Sequence, residues 1–135
     1  MRTEQAPPVC LKDYRPPDWL VETVHLDVAL DPVATRVKAR LALKPNPQAA
    51  APAPLVLDGD GLDLRGLKLD GTPLAGDRYV AAADRLTIAQ PPQGRFELEI
   101  ETVVNPSANT QLMGLYRSAT TYCTQCEAEG FRRIT

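Results

Sequence analysis

Apolar and polar residues alternate with a period of two along much of the chain, and that alternation predicts strands. Val24, Leu26, Val28 and Leu30 are separated by His25, Asp27 and Ala29, the pattern of a half-buried strand. Asp31-Pro32 signals a turn. Val37, Ala39, Leu41 and Leu43 then interleave with Arg36, Lys38, Arg40 and Lys44, so the two runs read as antiparallel neighbours. Phe96, Leu98 and Ile100 alternate with Glu97, Glu99 and Glu101, giving a third strand with one acidic face. Leu55-Val56-Leu57, the leucines at 62, 64, 67 and 69, and Arg85-Leu86-Thr87-Ile88 supply shorter strands. Asp70-Gly71, between Leu67-Lys68-Leu69 and Thr72-Pro73-Leu74, is a hairpin signal. About eight strands result, spaced as in an antiparallel β-sandwich.

Proline divides the chain. Ala6-Pro7-Pro8 and Arg15-Pro16-Pro17-Asp18 make residues 1–20 an irregular arm. The sandwich core is expected over 21–104, with a Pro/Ala connector from Asn46 to Pro54. From Asn105-Pro106 onward alternation fades, and 105–135 reads as an irregular, loop-rich segment dense in Tyr, Cys, Gln and Glu. Thirteen prolines leave little room for long helices. The expected fold class is all-β, in one domain.

Fifteen basic against 17 acidic residues give a net charge of −2. That argues against a nucleic-acid partner, since Arg132-Arg133 is the only basic cluster. The most apolar stretch, Ala49 to Leu57, is short and broken by Pro52 and Pro54, so no membrane span is expected. No apolar run follows the first five residues, which do not read as a secretory signal. Three cysteines imply no disulfide framework and point to a reducing cytoplasm.

The residues alone promote little chemistry. Cys123-Thr124-Gln125-Cys126 offers two metal ligands, and only Cys10 and His25 could complete a site; two reduced cysteines packing a loop is the simpler reading. Asp58-Gly59-Asp60-Gly61 hints at a calcium loop. Its sixth and twelfth places hold Asp63 and Leu69 instead of glycine and glutamate, so these are turn residues. A single histidine, on the polar side of a strand, nearly excludes a nucleophilic triad. Glu127 and Glu129 read as solvated carboxylates.

Longer motifs say more. Asn105-Pro106-Ser107-Ala108-Asn109-Thr110, Gly114-Leu115-Tyr116-Arg117-Ser118 and the run from Cys123 to Thr135 closely resemble the aminopeptidase N family of gluzincin-type zinc metallopeptidases. The opening Lys12-Asp13-Tyr14-Arg15-Pro16-Pro17-Asp18 and the strands from Leu26 to Leu43 are also similar. The resemblance implies a saddle-like N-terminal β-domain, packed in the intact enzyme on a thermolysin-like catalytic domain that holds zinc. The enzyme removes single residues from peptide N-termini. The zinc-binding His-Glu-x-x-His and the Gly-x-Met-Glu-Asn strand are missing here, so the chain is expected to be an inactive and incomplete N-terminal fragment that binds no metal. Thr124-Gln125-Cys126-Glu127 matches the family's Thr-Gln-x-Glu segment. By resemblance, Glu127 binds the substrate α-amine and Gln125 lines the pocket for the first side chain.

The implied partners are the catalytic domain of the same parent chain and peptide substrates. Self-association through an exposed domain interface is also expected. Two other readings compete: a non-catalytic β-sandwich that binds a protein partner, and a small redox or metal protein using Cys123 and Cys126.

Overall fold

The computed structural model describes residues 10–50 and 53–135. The arm expected at Ala6-Pro7-Pro8, and Ala51-Pro52 of the connector, lie outside the described residues. The strands are β1 (Trp19–Ala29), β2 (Thr35–Pro45), β3 (Leu55–Asp58), β4 (Asp63–Leu69), β5 (Thr72–Pro73), β6 (Val80–Ala81), β7 (Arg85–Ile88), β8 (Phe96–Val104), β9 (Gly114–Ser118) and β10 (Thr121–Gln125). Single 3-10 turns at Leu11–Asp13, Pro106–Ala108 and Gly130–Arg133 are the only helical elements among the described residues.

All strand pairings among the described residues are antiparallel. A five-stranded sheet runs β1-β2-β8-β4-β5, a three-stranded sheet runs β3-β7-β6, and β9 with β10 forms a separate hairpin. The expected neighbours pair as read, with Val24 opposite Leu41 and Leu26 opposite Ala39. The Asp70-Gly71 turn forms as its sequence dictates. Both residues have positive φ, 49° and 78°, as a two-residue turn matched to strand twist requires.

The larger core lies between the five-stranded and three-stranded sheets. Leu43, Leu67, Phe96 and Leu98 meet Leu55 and Ile88 across it. Trp19 stacks edge-on against Phe96, with centroids 5.4 Å apart, and its indole N–H donates to the Pro54 carbonyl. A second cluster joins Val37 and Val104 of the large sheet to Leu115 of β9 and to Ile134. The opposite face of the large sheet is a ladder of charge. Lys68 meets Glu99 at 2.8 Å, and both Arg36 and Lys38 approach Glu101. The acidic face predicted on β8 is thus matched by basic residues on β2 and β4.

Two expectations change. The apolar residues of β1 share the inner face, as their register with β2 requires, yet they are not half-buried. Val24, Leu26 and Val28 keep 41–49% of their surface exposed. The reason is reach. β1 is an edge strand, the covering sheet has strands of only two to four residues, and Trp19 is the only β1 side chain packed on the larger core. Second, the segment 105–135, expected to be irregular, contains the β9–β10 hairpin between its loops. Its turn residue Ala119 has φ 53°, a backbone state usually assigned to Gly or Asn. With no such residue at the turn, the hairpin carried no turn signal.

Candidate functional site

The family-like motif starts on the sheet and ends off it. In β10, Thr124 pairs with Leu115 and Gln125 with Gly114. The chain then leaves the hairpin, and the Gly130 N–H donates to the Cys126 carbonyl at 2.9 Å. Residues 126–130 thereby close into one tight turn that runs into the 3-10 turn Gly130–Arg133.

The roots of this turn are buried and its crest is exposed. Gly114, Leu115, Gly130 and Ile134 are buried, whereas Gln125, Glu127, Ala128 and Glu129 are exposed. Glycine is required at both roots. A Cβ on Gly130 would sit 2.2 Å from the Gln125 carbonyl oxygen, and one on Gly114, where φ is already +74°, would sit 2.6 Å from the Arg133 Cβ. Asn109 secures the start of β9, donating from its side-chain amide to the carbonyls of Met113 and Leu115 at 2.8 Å each. The peptide bond between Glu127 and Ala128 is cis.

The two carboxylates of the crest differ. Glu129 faces Arg132 at 3.4 Å, and Arg132 also faces Asp58 at 3.3 Å. Glu127 enters no ion pair among the described residues, so its charge is available to an incoming cation. Gln125, at the end of β10, and Glu127 stand on the same exposed turn, two residues apart.

Cys126 packs against the cluster of Val37, Val104, Leu115 and Ile134, whereas Cys123, read with it as packing a loop, lies in strand β10. Cys10, Cys123 and Cys126 are all free and partly exposed. Among the described residues no group of three His, Cys, Asp or Glu side chains could hold a metal. His25 lies exposed on the charged face with Asp27, Lys38, Arg40 and Glu99. No helix among the described residues is long and apolar enough to cross a membrane.

Sequence reasoning missed a contact between two distant segments beside the crest. Asp58-Gly59-Asp60-Gly61, read as a simple turn, lies against Arg132 and Arg133. The Asp60 N–H donates to the Arg132 carbonyl at 2.8 Å, and the Asp60 carboxylate accepts from the Arg133 guanidinium. The signal was present as an acidic tetrad and a basic pair, but some seventy residues separate them and nothing in the pattern joins them.

The chain is 47% identical over all its 135 residues to aminopeptidase N of Caulobacter vibrioides. It is 39% identical over 125 residues to aminopeptidase N of Haemophilus influenzae and 40% over 123 residues to that of Escherichia coli. It spans only 14–15% of the length of these relatives. Among solved structures, Legionella pneumophila aminopeptidase A in complex with aspartic acid superposes with a TM-score of 0.83 at 32% identity, over 93% of this chain and 15% of that one. Native yeast LTA4 hydrolase shares the fold, with a TM-score of 0.69 at 19% identity over 87% of this chain and 20% of that one. No family profile matches the chain.

Proposed function

We propose that this chain, homologous over its whole length to a stretch of aminopeptidase N, is the N-terminal β-domain of an aminopeptidase of that family and supplies its substrate-amine site. Glu127 binds the free α-amine of a peptide and Gln125 lines the pocket for its first side chain. The observation that carries this reading is the geometry of the crest. Glu127 is exposed and enters no ion pair among the described residues, on a turn whose two roots are buried backbone.

The chemistry suits an exopeptidase. Such an enzyme must measure one residue from the chain end, and only a free terminus places a cationic amine there. A carboxylate on a rigid turn at fixed distance from the scissile bond makes that measurement. Zinc, implied by the family, would in this reading be held by the rest of the longer protein. The part played by this chain is to bind and orient. Alone it is inactive, and its partners are the catalytic domain and the peptide. The free cysteines support a cytoplasmic setting.

Glu127→Gln in the full-length enzyme tests the assignment. A charge-assisted hydrogen bond is worth about 1.5–3 kcal/mol, so kcat/KM for free-amine peptides falls about ten- to a hundredfold. Unchanged kinetics would remove Glu127 from the mechanism. The competing reading, a non-catalytic binding module, draws on the uncovered apolar face of β1. It predicts that the same substitution leaves peptidase kinetics intact.

A further inference from the structure

We infer that the Asp58-Gly59-Asp60-Gly61 turn is a clasp that fixes where Glu127 stands, with Asp60 as its positioning residue. This rests on the reading of Glu127 as the amine-binding group.

Three links run from the turn to two consecutive residues. Asp58 reaches the Arg132 guanidinium at 3.3 Å. The Asp60 N–H holds the Arg132 carbonyl at 2.8 Å, and the Asp60 carboxylate holds Arg133. The turn is itself anchored. The Gly59 N–H donates to the Asp84 carbonyl at 3.0 Å, and Gly61 adopts φ +69°, a state that suits glycine.

Arg133 transmits the constraint. Its side chain is only 18% exposed, and its Nε is buried without a partner. Most surface ion pairs contribute little. Here one partner is largely desolvated, and removing its counter-charge leaves a cation with poor compensation. The Cβ and backbone carbon of Arg133 also crowd the position that a Cβ on Gly114 would occupy. Gly114 pairs with Gln125, and Glu127 follows two residues later. A contiguous path of packed atoms therefore joins Asp60 to the crest through Arg133, Gly114 and Gln125. Without the Asp60 carboxylate, the Arg133 side chain loses its tether to the Asp58–Gly61 turn, the Gly130–Arg133 turn whose backbone meets Gly114 loosens, and the crest shifts.

The test is a double-mutant cycle in the full-length enzyme, with a chromogenic free-amine aminopeptidase substrate. Asp60→Ala lowers kcat/KM by about tenfold, chiefly through KM, which is less than the ~10²-fold that a 1 Å displacement can cost. In a Glu127→Gln background it causes no further loss, while the change in Tm caused by Asp60→Ala is the same in both backgrounds. Asp60→Glu, which keeps the charge, recovers most of the activity, and Asp60→Asn substitutes for Asp60→Ala should the latter misfold. Additive losses overturn the clasp, because Asp60 would then act independently of Glu127. Full activity in Asp60→Ala beside a clear loss in Glu127→Gln overturns the clasp and leaves the amine site standing. Full activity in Glu127→Gln removes the amine site, and the clasp with it.

Discussion

Gly130→Ala should unfold this chain more easily than any other single glycine-to-alanine change at a position with negative φ. The added Cβ would lie 2.2 Å from the Gln125 carbonyl oxygen and 3.1 Å from both the Gln125 carbonyl carbon and the Gly114 nitrogen. The oxygen distance is roughly 1 Å short of an ordinary carbon–oxygen contact of about 3.3 Å. All three neighbours are backbone, so no flexible side chain can move aside. The turn must open, which costs about 1–3 kcal/mol as overpacking, and it gives up the Gly130 to Cys126 hydrogen bond, worth about 1 kcal/mol. The sum is about 2–4 kcal/mol. With a urea m-value of about 2 kcal/mol/M, the midpoint falls by about 1–2 M. Trp19 reports it well, because it is the only tryptophan and stacks on Phe96 inside the larger core. Gly76→Ala is the control. Nothing lies within 4 Å of its Cβ position, and it should be neutral or stabilising by up to about 1 kcal/mol. Coincident midpoints for the two variants would refute the close packing described between Gly130 and Gln125.

Leu98, fully buried between the sheets, should cost about 2–5 kcal/mol when cut to alanine, read by the same urea titration. Replacing Val24 and Val28 with lysine should leave the midpoint nearly unchanged and reduce self-association seen by sedimentation, because both lie on the exposed inner face of β1; a wild-type chain that stays monomeric at high concentration would contradict the premise. Stability should fall on acidification. Glu22 is held below its ordinary pKa by the hydrogen bond from Lys44 and by Arg95, Asp31 by the N–H groups of Val33 and Ala34, and Glu99 by Lys68. Folded values below unfolded ones give stability that is complete above the ordinary carboxylate range, about pH 4, and is lost as pH drops through the folded values. Combining Glu99→Gln with Asp31→Asn should flatten the fall of the urea midpoint between pH 7 and 3. Asp84 adds little to this dependence, because its partner is its neighbour Arg85, present in the unfolded chain too.

What the sequence told depended on how local the cause was. Alternation in β1, β2 and β8 reports which face a side chain takes, and the register confirms it. Alternation cannot report whether anything covers that face. Val24 and Val37 look alike in the pattern, yet one is half-exposed and the other fully buried. Asp70-Gly71 was legible because its residue types are those a positive-φ turn demands. The Ala119 turn was not, because its conformation is imposed by the paired strands on either side. At the candidate site, the types of Gln125 and Glu127 pointed nowhere by themselves. The resemblance supplied the role proposed for them, and the buried roots beneath them emerge only from Gly114, Gly130 and Arg133 meeting in space.

Those roots separate two properties that a single residue often combines. Glu127 touches little of its own domain, so changing it to glutamine should leave the unfolding midpoint where it was while the full-length enzyme loses its hold on the substrate amine. Gly130 bears no functional group, yet its substitution disturbs both the midpoint and the crest. The sandwich can bear an isolated carboxylate because backbone contacts at the base of the turn stiffen it without help from Glu127, which is left free of stabilising duties. Measuring stability and kcat/KM side by side for Glu127→Gln and Gly130→Ala in the full-length enzyme decides the matter. Glu127→Gln should change only the second quantity and Gly130→Ala both. A large loss of stability from Glu127→Gln would mean that the carboxylate is part of the framework, and its availability to a peptide amine would have to be abandoned.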